Sequence, residues 1–270
     1  MLPAIHVPTS AAGLGIAAVQ CLNLASCFNE ASSPAPYSKF AAAVPEKQAL
    51  VSSRTGMFVI YAPALVVSSI ALATAPAANG REALVAALLA AHMLKRCLEV
   101  AFVHAYSGRV ALSLSCAIGS FYALVCLLIT ATQRGVPHYA GAPVAALCLY
   151  AVGELGNLYH HVLLAKQRAG QQKRAKFPTS KAPISARGGS SDYVVPTGAG
   201  FDLCTMPHYL FEIVAWLGVA AAAGQLNAYL VALGMASYLG GRAVATTRWY
   251  EAKFGAKWPK GRAHLVPGVF

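Results

Sequence analysis

The sequence predicts an all-α membrane protein, a polytopic bundle of about seven transmembrane helices with its N-terminus lumenal or exoplasmic and its C-terminus cytosolic. Three observations carry that prediction. The chain is 57% hydrophobic and only 11% charged, with a mean hydropathy of +0.54, values found in membrane proteins rather than soluble domains. Apolar runs long enough to cross about 30 Å of hydrocarbon recur throughout it. The basic residues between those runs gather on one side.

The runs lie at roughly 9–28, 57–77, 83–105, 110–132, 142–166, 207–224 and 226–247. The first contains Gln20 and Asn23 and the third contains Lys95, Arg96 and Glu99, so these two are the least suited to face lipid directly. Lysine and arginine flank helices one, three, five and seven at their far ends, whereas Arg81 and Arg134 alone lie on the opposite side. Positive charge stays cytoplasmic, which sets the orientation. Met1 to Ser10 has no basic residue to open a cleaved signal or a mitochondrial presequence, and helix one is expected to be retained. At 270 residues the chain reads as one membrane domain in three parts. Residues 1–106 hold helices one to three, 107–192 hold helices four and five with a basic loop, and 193–270 form a C-terminal region rich in ionisable and aromatic groups.

The formal charge of +12 does not indicate nucleic acid, because the excess sits in membrane-flanking loops without interleaved aromatics. The longest polar stretch, Lys166 to Arg187, reads either as a loop lying on anionic headgroups or as a clamp for a cofactor phosphate. Six of the seven cysteines fall in or beside predicted spans, without C-x-x-C spacing, so neither a disulfide framework nor a metal site follows. Met57 and Met93 read as core. His160 and His161 point about 100° apart on a helix and, with His104, show no carboxylate partner in the sequence, so no metal is expected. Gly198-Ala199-Gly200 does not open a strand-to-helix unit, which excludes a Rossmann fingerprint.

In the C-terminal region, YVVPTGAGFDLCTMPHYLFEIVAW is followed by an apolar span and then GRAVATTRWYEAKFGAKWPKGRAHLVPGVF. It resembles the C-terminal domain of the steroid 5-alpha-reductase family, with its Y-x-I-P-x-G-G-L-F, P-N-Y-x-x-E-x-x-x-W, H-x-W-Y-x-x-K-F, Y-P-x-x-R and terminal P-F. Upstream, HMLKRCLE followed by Phe102-Val103-His104 resembles the H-x-x-K-R-x-x-E-x-x-F-V-H block of the trans-2-enoyl-CoA reductase branch.

The resemblance implies a cytosol-facing pocket inside the bundle that binds NADPH. It places Tyr37, Asn157, Arg168, Tyr193, His208, Glu212, Arg242, Tyr250 and Arg262 at the cofactor, and Tyr209 and Lys95 at the chemistry. The reaction implied is reduction of a conjugated carbon–carbon double bond in a lipid substrate, a trans-2-enoyl-CoA or an enone steroid or polyprenol type. A phenol with a nearby ammonium can act as donor and acid there, hence Tyr209 as the acid and Lys95 as its electrostatic partner. The substrate would enter from the bilayer, and the endoplasmic reticulum is the expected membrane, an organelle inner membrane the alternative.

Each of these residues also has a plainer reading. Arg242, Arg248 and Arg262 could serve the dipole of helix seven or snorkel, and Trp249 and Tyr250 could be interfacial aromatics. Glu212 could pair with Arg242 or Lys95, and Lys95 with Glu99 four residues on. The chain also departs from the family pattern. Tyr61 and Met93 stand where the steroid reductases have a glutamate and a tyrosine, His208 replaces the asparagine of P-N-Y, Ala199 replaces the second glycine of G-G-L-F, and Thr246 and Thr247 replace histidines. These changes keep a second reading open, a non-catalytic relative serving as a structural subunit of a membrane complex. A third is a membrane methyltransferase with similar C-terminal helices.

Overall fold

The computed structural model describes residues 5–37, 40, 49–76, 80–106, 108–134, 136, 143–176 and 193–270. Each predicted run folds as a helix: α1 Ala11–Cys27, α2 Ser53–Ala73, α3 Gly80–Leu98, α4 Leu112–Gln133, α5 Val144–Lys176, α6 Pro207–Ala223 and α7 Leu226–Phe254. A short antiparallel ribbon, β1 (Leu50–Ser52) with β2 (Arg109–Ala111), ties the start of α2 to the start of α4. Lys181 and Arg187 of the basic loop lie outside the described residues.

Local chemistry sets the helix ends. The Ser52 hydroxyl accepts from the Thr55 amide and caps α2, satisfying one of the orphan donors of its first turn. Pro207 opens α6, where its fixed φ and missing N–H cost nothing. Gly224 closes α6 at φ 59, and a side chain is disfavoured in that left-handed conformation. The third predicted run stops short as α-helix. From Glu99 to Val103 it widens into a π turn, closed by the His104 amide on the Glu99 carbonyl at 2.9 Å. Such turns re-aim side chains and recur at functional sites.

Four helical stretches are long and apolar enough to cross a membrane: Ala11–Ala31, Ser53–Ala73, Leu112–Gln133 and Leu226–Lys257. α3 and α5 carry more charge, and α6 has 17 residues. Their places in the bundle explain the difference. α3 packs against α2, α4 and α6, and α6 lies mainly between α5 and α7. Residues such as Leu89, Met93, Trp216 and Ala220 therefore join Ile60 and Ile129 in one core. Exposed apolar side chains include Leu22 on α1, Val66 and Ile70 on α2, Leu127 on α4 and Leu155 on α5, with Leu94 and Leu98 on one face of α3. In lipid a helix that is buried all round tolerates polar groups only where they face the interior.

The α5–α6 contact depends on absent side chains. A Cβ on Gly153 would overlap the Ala215 backbone, and one on Gly218 the Tyr150 backbone. Small residues let helix backbones meet closely in a membrane. Gly218→Ala is expected to push α5 off α6 and destabilise the protein by about 1–3 kcal/mol, the range for overpacking. Thermal unfolding in detergent, compared with Gly170→Ala, where a Cβ meets nothing within 4 Å, checks this.

Candidate functional site

The bundle encloses a cavity of about 590 Å³, within the range of small-molecule sites. One part of its wall is polar and comes from the ends of α5, α6 and α7 and the segment before α6, with Asn157, Arg168, Tyr193, His208 and Tyr250. Another part is apolar and comes from α2, α4 and α7, with Met57, Ile60, Ile118, Phe121, Val231 and Met235. Met93 is core, as expected, and Met57 packs against that core while also bordering this space.

Beside the cavity lies a compensated network of buried charge. His92 places Nδ1 2.5 Å from Glu154 and Nε2 3.2 Å from Glu212. Nδ1 is in hydrogen-bond range of Glu154 and Nε2 in ion-pair range of Glu212, so a carboxylate on each side favours the imidazolium form. Lys95 Nζ donates to Asn157 Oδ1 at 2.6 Å, lies 2.9 Å from Glu154 and 3.6 Å from Glu99. Asn157 Nδ2 in turn donates to the His208 carbonyl at 2.8 Å. Arg96 donates to Glu99 at 2.5 Å, to His161 Nδ1 at 3.1 Å and to the Tyr61 hydroxyl at 2.7 Å. Three carboxylates thus meet three cations, the arrangement that lets charge persist away from water.

The histidines have separate tasks. His160 Nδ1 donates to the Gly156 carbonyl, and its Nε2 accepts from the Gly200 amide at 3.2 Å, so it holds the turn before α6. His161, His104 and Glu99 converge, with ligand atoms all within 4.8 Å, so the carboxylate that the sequence did not reveal is supplied by the π turn. Arg96 Nη1, however, donates to both Glu99 Oε2 and His161 Nδ1. A guanidinium among these lone pairs competes directly with a cation.

A third cluster joins α7 to the segment after α1. Arg242 donates to Glu30 at 2.5 Å and to the carbonyls of Ala35 and Tyr37, and its guanidinium lies 3.7 Å from the Tyr37 ring centroid. The Tyr37 and Tyr238 hydroxyls are 2.9 Å apart. Burial pushes the Tyr37 phenol well above its ordinary value despite the opposing pull of Arg242, so it stays neutral. At the other end, Arg168 lies over the Tyr193 ring at 5.8 Å and Tyr193 meets Trp249 edge-on at 4.8 Å. Tyr250 stacks on Trp258 at 5.0 Å.

Of the residues singled out in the sequence, Tyr37, Asn157, Arg168, Tyr193, His208, Tyr209, Glu212, Arg242 and Tyr250 line this cavity. Lys95 and Arg262 are not part of its wall. Lys95 reaches it only through Asn157, whereas Arg262 donates to the Pro196 carbonyl at 2.9 Å and so braces the Tyr193 segment from behind. The anticipated ion-pair partners also differ. Glu212 meets His92 rather than Arg242 or Lys95, and Arg242 meets Glu30. Lys95 and Glu99 do approach as expected, with Glu154 as an added partner. Sequence reasoning gave no site role to Glu30, His92, Arg96, Tyr106 or Glu154. Isolated polar residues in apolar helices were the available signal.

A cavity with a polar wall and an apolar wall inside a helical membrane bundle suits an amphiphilic molecule. Residues 185–270 match the family model described as 3-oxo-5-alpha-steroid 4-dehydrogenase, so the similarity to the steroid 5-alpha-reductase family lies in the C-terminal third of the chain. Over 180 residues the chain is 27% identical to a very-long-chain enoyl-CoA reductase of Dictyostelium discoideum, covering 65% of this chain and 54% of the relative. A steroid 5-alpha-reductase of Arabidopsis thaliana is 38% identical over 84 residues, 31% of each chain. Polyprenal reductase 1 of Oryza sativa subsp. indica is 33% identical over 82 residues, 30% of this chain and 23% of the relative. The matched region spans about half or less of these relatives.

Proposed function

We propose that the protein is a membrane-embedded, NADPH-dependent reductase of a conjugated carbon–carbon double bond in a lipid carbonyl compound, an enoyl thioester or an enone. The observation that carries this reading is a cavity in which a polar wall suited to a nucleotide meets an apolar wall suited to a lipid. Relatives named as enoyl-CoA, steroid and polyprenal reductases support it.

The residues present fit the cofactor at one end. Arg168 with the Tyr193 and Tyr250 phenols supplies a guanidinium and neutral donors, the set that phosphate and ribose require. Arg242 does not fit a phosphate role, because Glu30 already compensates its charge. When bound, the nicotinamide would supply the hydride that reaches the β carbon of the substrate.

The chain's own residues do the rest. Tyr209, on the cavity wall at the start of α6, is placed to give a proton to the α carbon. Lys95 acts as a positioning residue, since its bond to Asn157 fixes the amide that holds the His208 carbonyl, one residue before Tyr209. The apolar wall excludes water from the reacting double bond. The substrate enters from the bilayer, because that wall is built from α2, α4 and α7, three of the span-length helices. The nucleotide end faces the cytosol, and the endoplasmic reticulum is the proposed membrane.

The clamp on Arg242 favours the scaffold alternative at one point, and cofactor binding separates the two. Saturating NADPH is expected to raise the unfolding temperature of the purified protein, by the equivalent of about 2.7 kcal/mol at a hundredfold excess over its Kd. The protein should also oxidise NADPH in the presence of a trans-2-enoyl-CoA or an enone steroid. No shift with NADPH and no turnover with either compound would remove the reductase reading, and a shift with S-adenosylmethionine instead would favour a methyltransferase.

A further inference from the structure

We propose that the Asn23 side chain forms a second polar subsite in the cavity, which receives a hydroxyl group carried by the substrate at a distance from its reacting double bond. The proposal rests on the reductase reading only in taking the ligand to be an apolar enone whose reactive end lies at Tyr209.

Asn23 stands in a helix otherwise suited to lipid. The stretch Ala11–Ala31 is long and apolar enough to cross a membrane, and Leu14 and Leu22 on its outer side are exposed. Asn23, Ser26 and Cys27, spaced to share the other face of α1, line the cavity. A polar side chain at such a depth is expensive in lipid and is kept where it meets another polar group. The Asn23 amide meets none in the protein. Among the described residues its side-chain oxygen and nitrogen make no hydrogen bond, while the Ser26 hydroxyl is turned to the Asn23 backbone carbonyl at 2.7 Å. The facing turn of α7 offers only Gly234, where an added Cβ would lie 3.5 Å from the amide nitrogen. Val231 and Met235 beside it, with Ile118 and Phe121 from α4, make the rest of this part of the wall apolar.

Position along α7 decides which part of a ligand the amide meets. Gly234 lies one turn, about 6 Å, from Tyr238, and Tyr238 packs with Tyr209 on the same small core around Leu239. Tyr250, at the end suited to a nucleotide, is about 24 Å of helix away from Gly234. A molecule with its double bond at Tyr209 therefore brings to Asn23 a part remote from the nucleotide. A primary amide donates through nitrogen and accepts through oxygen, and a hydroxyl does both in return. A bare hydrocarbon leaves the amide unmet. Sites of this kind discriminate against the analogue that lacks the group, because the protein's own polar atoms are then left unpaired.

The experiment uses the full-length protein in detergent with straight-chain 2-enones of graded length, each with and without a hydroxyl at the far end. Binding is measured by calorimetry without cofactor, so the readout does not depend on turnover. At the length that spans the two groups, the hydroxyl is expected to tighten binding to the wild type by about five- to thirtyfold. Asn23→Leu is expected to lose that preference while binding the unsubstituted enone at least as well as the wild type does, a reversal that a misfolded protein would not show. Asn23→Gln, which keeps the amide on a longer stem, should retain the preference and move it to a shorter chain.

No hydroxyl preference at any length in the wild type, or the same preference in Asn23→Leu, overturns the proposal. A preference that is lost in Asn23→Leu, in a protein that never oxidises NADPH, would overturn the reductase reading and leave this subsite standing. NADPH oxidation with the unsubstituted enones and no hydroxyl preference in binding would do the reverse.

Discussion

Glu30→Gln is expected to destabilise the folded protein by about 3–5 kcal/mol, the usual penalty for leaving one member of a buried ion pair without its partner. Glu30 and Arg242 are 6% and 2% exposed, so neither charge can turn to water when the other is removed. The carboxylate also accepts from the Ala35 amide, and Arg242 holds the carbonyls of Ala35 and Tyr37. Losing the pair therefore loosens the segment after α1 from α7, leaving the Tyr37–Tyr238 contact to hold it. Arg242→Gln should cost a similar amount, and the double variant Glu30→Gln/Arg242→Gln much less than the sum, because no lone charge remains. Chemical denaturation in detergent measures all three. A destabilisation below about 1 kcal/mol in both single variants would mean that the clamp is not structural and that Arg242 is available to a ligand.

Tyr209→Phe carries the second large effect, an expected fall in kcat of about 10²–10⁴-fold, the span attributed to a positioned acid. The phenol lines the cavity at the first turn of α6, its ring 4.7 Å from that of His208. Its setting is tyrosine-rich, with Tyr37, Tyr238 and Tyr209 all within electrostatic reach of Arg242. Because phenylalanine keeps the ring and removes only the hydroxyl, the NADPH Kd and the unfolding midpoint should stay at wild-type values. Lys95→Met should lower kcat less, since its influence passes through Asn157 and the His208 carbonyl rather than through a contact with the phenol. Retained turnover in Tyr209→Phe would move the acid to another group on the same wall.

Much of the fold could be read directly from the chain. Long apolar runs fix helices because lipid leaves the backbone no other partner for its polar groups, and all seven runs became helices, with α5 and α7 continuing past their expected ends. The exception is instructive. The run through His104 looked like continuous helix, yet it departs at Glu99, where tertiary partners on α5 rather than local propensity decide the geometry. The cavity wall was legible only in part. Tyr193, Glu212 and Tyr250 stood out as polar or amphipathic groups in apolar surroundings, and the bundle does turn them inward. Their partners were not legible. Nothing in local spacing joins Glu30 to Arg242, 212 residues away, or Lys95 to Asn157, because such pairings arise from helix packing alone.

The enclosure of α3 and α6 bears on how the chain reaches its membrane. A segment bearing Lys95, Arg96 and Glu99, or one of only 17 residues such as α6, partitions poorly into hydrocarbon by itself. Each has a long apolar neighbour in the chain, α2 before α3 and α7 after α6, and each packs against that neighbour. Entry in pairs, α3 with α2 and α6 with α7, is the order of insertion that this packing favours. Such an order would keep the charged face of α3 away from lipid tails.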